Sequence, residues 1–306
     1  MSGALPVGPH GGDGAAVAAA LGIPPESILD LSASLNPVAP DVERLAAKRL
    51  GELRRYPDEA AATAALAEAL GADAERIVLT NGGAEAIALV AALLPVGRVD
   101  EPDFSLYARH LRELRPDAPR WRSNPHNPSG RLAGADETAA VWDEAFYQLA
   151  TGRWTRGDAE VTIGSLTKLY ACPGLRLGYV VCAEPALASR LRERKPRWSV
   201  NSLACALAPD LLGLADLPAW AQSLATLRTE LVDVLAAHGL RAEPSDANFV
   251  LIREAPGLRD WLAPRGVLVR DTASFGIPDG ARIAVPDSSG FEKLANALGG
   301  YFHESI

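Results

Sequence analysis

What most limits the fold of this chain is the way a short buried strand runs straight into a glycine-led helix. Arg76-Ile-Val-Leu-Thr80 is mostly apolar, and Asn81-Gly82-Gly83-Ala84-Glu85 follows at once and opens an Ala/Leu-rich helix to Leu94. From Gly97 to about Gly178 short apolar strands alternate with loops and helices, the clearest at 140–143, 160–164 and 177–182. Such alternation predicts an α/β fold with a mostly parallel sheet. Before it, the pattern predicts a helix over 13–21 capped by Asp13 and stopped by Gly22, an extended piece over 28–34, and a helix between Asp58 as cap and Gly71 as stop. After Pro185 come helices at 185–194, 200–213 and 217–238. An α+β tail follows, with strands at 247–252, 266–270 and 281–285 and helices at 257–263 and 288–298. We therefore expect an arm over 1–45 packed on a small domain, a large domain over 46–200, and a small C-terminal domain over 201–306.

The formal net charge of −8 repels nucleic acid and anionic lipid. Any anionic substrate then needs a local cationic pocket, so each arginine has to be weighed on its own. Cys172, Cys182 and Cys205 form an odd, sparse set without C-x-x-C spacing, which argues against a disulfide framework or a zinc site. The five histidines show no metal spacing. The first dozen residues have no charged and apolar leader pattern, and no uncharged apolar run approaches the ~20 residues that span a bilayer, so a cytoplasmic location is expected.

The segment richest in chemistry is Ser165-Leu-Thr-Lys168-Leu-Tyr-Ala-Cys-Pro-Gly-Leu-Arg176-Leu-Gly178. It sets a lysine just after a buried strand, small hydroxyls around it, and an arginine further on. A lysine amine can form a Schiff base with an aldehyde coenzyme and afterwards move a proton. The hydroxyls of Ser165 and Thr167 and the Arg176 guanidinium suit a phosphate dianion. A Ser-x-x-Lys can also belong to a serine hydrolase, but the S-D-N and K-T-G partners of that chemistry are absent.

This segment resembles the lysine signature of the class I/II aminotransferases, and in particular the histidinol-phosphate aminotransferase group. The resemblance extends over almost the whole chain. It implies the pyridoxal-phosphate fold type I, with pyridoxal 5′-phosphate on Lys168 as cofactor. Asn81 to Glu85 matches the loop that offers backbone N–H groups, those of Gly83, Ala84 and Glu85, to the coenzyme phosphate. Asn124-Pro-His-Asn127-Pro-Ser-Gly130 matches the segment whose second asparagine, here Asn127, donates to the ring oxygen O3′. Asp143 matches the acid that keeps the pyridine nitrogen protonated. Phe104, in Glu101-Pro-Asp-Phe104-Ser-Leu-Tyr107, matches the aromatic ring stacked on the coenzyme, with Tyr107 as a weaker candidate. Tyr56, in Arg55-Tyr56-Pro57, matches the tyrosine that reaches the coenzyme phosphate of a neighbouring subunit, which implies a homodimer with shared active sites. Arg282 matches the arginine that holds the substrate carboxylate, and Arg270 the one that serves a distal anion.

Two features resemble a narrower branch, the threonine-phosphate decarboxylases of cobalamin biosynthesis and their aminotransferase-named relatives. His10-Gly11-Gly12-Asp13 and Asp30-Leu-Ser32-Ala-Ser34-Leu-Asn36-Pro37 are similar to segments that border the substrate in that branch, so His10, Gly11 and Asn36 are expected there. Phe146 stands where many aminotransferases keep a tyrosine, and period-two alternation turns Tyr147 away. The resemblance thus implies a carboxy-lyase acting on a small phosphorylated amino acid, with an aminotransferase of histidinol-phosphate type as the alternative. The gaps from Phe104 to Asn124 and from Gly130 to Asp143 are short for the family, which predicts a missing helix or strand. They also leave open a non-catalytic binding protein, against which the intact Lys168, Asp143 and Arg176 argue.

Overall fold

A computed structural model describes residues 5–8 and 10–301. The chain lays down β1 (Leu29–Asp30), then β2 (Ile77–Thr80), β3 (Val96–Val99), β4 (Glu113–Leu114), β5 (Arg120–Ser123), β6 (Val141–Asp143), β7 (Val161–Ser165) and β8 (Gly178–Cys182). β9 (Phe249–Ile252), β10 (Val267–Leu268), β11 (Arg270–Asp271) and β12 (Ala281–Ala284) follow. The main sheet has the order β2-β8-β7-β6-β5-β3-β4. Neighbours pair in parallel except where β8 meets β2 and β7, so β8 alone is reversed. The second sheet, β11-β12-β9, is antiparallel, and β1 pairs in parallel with β10. The α/β architecture with a mostly parallel sheet is as expected.

Both faces of the main sheet are covered. On one face Val78, Val141, Ile163 and Val180 pack on helix Gly82–Leu93, Tyr107 and helix Pro185–Arg194. On the other, Ile77, Leu79 and Tyr179 pack on helices Ala60–Leu70 and Ser202–Gly213. This second core holds Leu217 and Leu224 from helix Leu217–Ala237, whereas Leu231 and Leu235 of the same helix lie in the core of the antiparallel sheet. Leucines about two helical turns apart, Leu224 and Leu231, are thus divided between two cores. We place the division between large and small parts inside this helix, past Leu224, rather than at residue 200. The arm packs Val17, Ala18 and Ile28 against Ala263 and Leu268.

Local differences have local causes. Asp13 makes no side-chain cap for helix Gly14–Leu21 because its Oδ2 accepts from the Gly8 N–H at 2.9 Å. Asp58 sits one residue before the N-cap Glu59, and its Oδ1 accepts from the Ala60 N–H. The expected strand over 266–270 divides into β10 and β11 because its two ends pair with different strands, β1 and β12. The short gap after Gly130 contains neither a helix nor a strand. Residues 131–140 form a loop tied by Arg156, whose guanidinium donates to the carbonyls of Ala133, Gly134, Ala135 and Glu137. No single helix among the described residues is long and apolar enough to cross a membrane.

Candidate active site

The site lies at the carboxyl ends of the parallel strands, where an open α/β sheet leaves a crevice. β2 ends at Thr80 and hands over to helix Gly82–Leu93; β5 ends at Ser123, β6 at Asp143 and β7 at Ser165. Lys168 follows two residues after β7 in the one-turn helix Leu166–Leu169. Asn36 steadies this helix from below. Its N–H donates to the Lys168 carbonyl (3.1 Å), its Nδ2 donates to the Leu169 carbonyl (2.9 Å), and its Oδ1 accepts from Val38 N–H. The expectation that Asn36 contacts substrate is thereby changed, since its amide is spent on the backbone that carries the lysine.

The Lys168 amine has no hydrogen bond to the described residues. Burial lowers its pKa to about 8, helped by the cationic Arg282 and Arg176. Such a shift yields neutral, nucleophilic amine near physiological pH. Asp143 is buried, with Oδ2 accepting from the Tyr107 hydroxyl (2.7 Å) and Oδ1 from the Ala145 N–H (3.0 Å). Burial raises its pKa to about 6, against these hydrogen bonds. Tyr107 is thus a partner of the acid rather than a stacking ring. No local spacing signals this pairing, because Asp143 lies 36 residues further along the chain.

An anion cradle forms beside the lysine. The Ser165 and Thr167 hydroxyls are 2.6 Å apart. Gly82 has φ +74°, and a Cβ there would run into the Arg176 guanidinium, so only glycine lets the arginine lie along the helix start. Arg176 Nη2 donates to the Asn81 carbonyl at 3.5 Å. Among the first four N–H groups of the helix, which have no intrahelical partner, that of Asn81 donates to the Glu85 carboxylate (2.6 Å). The N–H groups of Gly82, Gly83 and Ala84 remain for an anion. Glu85 is corrected accordingly: its side chain also accepts from Ser199 Oγ (2.9 Å) and its own N–H lies within the helix, so it shapes the loop instead of facing a ligand.

On the opposite side, Arg282 is buried in β12, donating to Asn127 Oδ1 (2.6 Å) and the Ser32 carbonyl (3.4 Å), with its guanidinium 4.7 Å from the Phe249 ring. Phe146 packs edge-on against Phe249 at 5.2 Å; because β6 ends at Asp143 and Tyr147 begins a helix, the strand alternation expected to turn Tyr147 away does not apply there. Arg270 donates to the Gly8 carbonyl and to Ser274 Oγ, both at 2.7 Å. His10 stands edge-on to Phe104 at 5.4 Å, and burial and Arg270 lower its pKa. Gly11 has φ +79° and its Cα approaches the Ser32 carbonyl so closely that a Cβ would sit 2.5 Å from that oxygen; Gly12 N–H donates to Ser32 Oγ. Tyr56 is 78% exposed and stacks on Trp198, apart from these groups.

These residues fit pyridoxal phosphate. A partnerless amine of lowered pKa suits the aldehyde, Asp143 suits a ring nitrogen, and the glycine cradle with two hydroxyls and Arg176 suits the phosphate. Comparison with known proteins agrees. The family model for aminotransferase class I and II matches residues 121–298. The threonine-phosphate decarboxylase of Salmonella typhimurium is 31% identical over 349 aligned residues, covering 94% of this chain and 95% of that protein. Histidinol-phosphate aminotransferase 1 of Dechloromonas aromatica is 27% identical, covering 91% and 92%. Two solved structures share the fold. One is the L-threonine-O-3-phosphate decarboxylase from Porphyromonas gingivalis (TM-score 0.77, 22% identity, 90% of this chain and 99% of that one). The other is the histidinol-phosphate aminotransferase from Sinorhizobium meliloti in complex with pyridoxal-5′-phosphate (TM-score 0.81, 20% identity, 99% and 96%). The chain belongs to the class I and II aminotransferase family and is a pyridoxal-phosphate enzyme.

Proposed function

We propose that this enzyme decarboxylates a small phosphorylated amino acid, with L-threonine O-3-phosphate as substrate, and serves cobalamin biosynthesis. The observation that carries the reading is the pair Arg270 and Arg282, buried side by side on β11 and β12. Two guanidinium groups suit a substrate with two anions: Arg282 would take the carboxylate and Arg270 the distal phosphate. The Salmonella typhimurium relative supports the choice.

Bound pyridoxal phosphate supplies a sink for the electron pair left at the substrate Cα. Lys168 would hold the coenzyme and return a proton to Cα, Asp143 would face the ring nitrogen, and Phe104 the ring. Asn127 would meet O3′ while sharing its amide oxygen with Arg282. Gly82, Gly83, Ala84, Ser165, Thr167 and Arg176 would hold the phosphate. The bond that breaks is the one set perpendicular to the ring, so the angle at which Arg282 holds the carboxylate decides between loss of CO2 and loss of the α-proton.

The second reading is transamination of the histidinol-phosphate type, favoured by the Dechloromonas aromatica relative. Incubation with L-threonine O-3-phosphate or histidinol phosphate, with a 2-keto acid as amino acceptor, following CO2 against the keto acid or ketone formed from each substrate, separates the two. The decarboxylase reading expects one CO2 per threonine phosphate consumed; stoichiometric keto acid without CO2 overturns it.

The proposal includes a homodimer. Leu50, Leu53, Tyr56 and Trp198 are exposed large apolar side chains close to one another in sequence or in contact. A second copy would cover them and receive Tyr56 at its phosphate cradle. Sedimentation should give a dimer, and Tyr56→Phe should weaken coenzyme retention.

A further inference from the structure

Asp103 is a buried acid that the mechanism above does not use. It is 2% exposed, and its Oδ1 accepts from the Ser123 hydroxyl (2.5 Å) and the Phe104 N–H (2.7 Å) while Oδ2 accepts from the Ser123 N–H (3.1 Å). Ser123 is the register partner of Asp143 across β5 and β6. The two carboxyls therefore flank a single residue, and the Tyr107 hydroxyl bonded to Asp143 feels both. The chain of contacts continues outward: Ser123 Oγ accepts from the Asn127 N–H (2.8 Å), and Asn127 Oδ1 accepts from Arg282.

Among the described residues no cation lies within 4.0 Å of either carboxyl in an ion pair. Arg122 attracts Asp103 from β5 but is paired with Glu137, Lys168 attracts Asp143 from a distance, and Glu101 accepts from the Asp103 N–H. The nearby His126 ring is held by the Pro102 carbonyl and Ser129. Burial raises both acids to about 6, and each acid's charge raises or is raised by its neighbours. Two desolvated like charges without a counter-ion resist double ionisation, and a cation placed against one of them relieves both. The three donors on Asp103 favour its charged form, so it can keep a negative charge where Asp143 alone would have to supply it.

We propose that Asp103 is a positioning residue that acts through Ser123 and Asp143 to hold the pyridine nitrogen of the bound coenzyme in its protonated form. The inference rests on the reading that this nitrogen faces Asp143. The test loads the full-length enzyme with 15N-labelled pyridoxal 5′-phosphate and follows the pyridine 15N shift against pH. Asp103→Asn should lower the midpoint of nitrogen protonation by about one pH unit, a tenfold loss of proton affinity. Ser123→Ala, which removes one donor to Asp103 and leaves the acid in place, should shift it the same way by about twofold to threefold. This second variant answers the question if the first fails to fold. Midpoints equal to the parent enzyme in the folded variants overturn the role of Asp103. Asp143→Asn should collapse the protonated signal altogether; if it leaves the shift unchanged, the coenzyme does not face Asp143 and the underlying reading fails first.

Discussion

Arg270 and Arg282 are register partners across the β11–β12 pair, so their side chains leave the same face of the small sheet. Both are buried, and burial lowers the pKa of each, Arg282 to about 9 with Arg270 adding to the effect. Two neighbouring cations out of water favour an anion beside them, and Asp271 and Asp13 already attract Arg270. Inorganic phosphate should therefore raise the melting temperature of the coenzyme-free protein through this pair and the glycine cradle together, and Arg270→Gln should reduce the rise without abolishing it. The same variant should raise KM for a phosphorylated substrate ~30-fold or more, from the ~2–3 kcal/mol of a charge-assisted hydrogen bond. An unchanged KM would remove Arg270 from the substrate site.

Lys168 must be neutral to attack the coenzyme aldehyde. Its pKa is lowered from 10.5 to about 8, so the neutral fraction rises through pH 8 instead of above pH 10. Stopped-flow absorbance should show the second-order loading rate rising with a midpoint at about pH 8 and levelling above it. Arg282→Gln removes a cationic neighbour and should move the midpoint upward. A parent midpoint near 10 would contradict this.

Phe146 leaves the coenzyme O3′ without a tyrosine hydroxyl in the reading proposed above, its ring lying against Phe249. A hydroxyl donated to that oxygen stabilises its ionised form. Phe146→Tyr should lower the pH at which the near-visible absorbance of the loaded enzyme changes, by about one unit. Identical titration curves would show that residue 146 does not reach O3′.

Arg156 holds the loop over residues 131–140 with a single planar fork. Beyond the loop carbonyls it pairs with Asp158 and lies 5.2 Å from the Trp142 ring. Lysine offers the charge without the fork. Arg156→Lys should lower stability by about 2–3 kcal/mol in urea unfolding, with loop 131–138 gaining proteolytic sensitivity. Cleavage at the parental rate would mean that other contacts hold the loop.

The residues with one strong chemical requirement were readable in sequence: Lys168 and Asp143 end or follow apolar strands, and Gly82 precedes a helix. What pairing and packing decide was not. Asp103 and Ser123 are two unremarkable polar positions until β5 and β6 fall into register. Asn36 is a turn asparagine in sequence and a support for the lysine in space. The fate of residues 266–271 depended on two partners about 240 and 12 positions away, which no local pattern encodes.

Helix Leu217–Ala237 is 21 residues long, roughly 30 Å at 1.5 Å per residue. One end is keyed into the body that carries Lys168, the other into the body that carries Arg270 and Arg282. Leu224 and Leu231, about two helical turns apart on this continuous rod, mark where one core hands over to the other. Arg228, within that span, clasps the carbonyls of Asp246 and Ala247 just ahead of β9. The distance between the lysine and the paired guanidinium groups is thus set in part by two turns of one helix and a single arginine clasp.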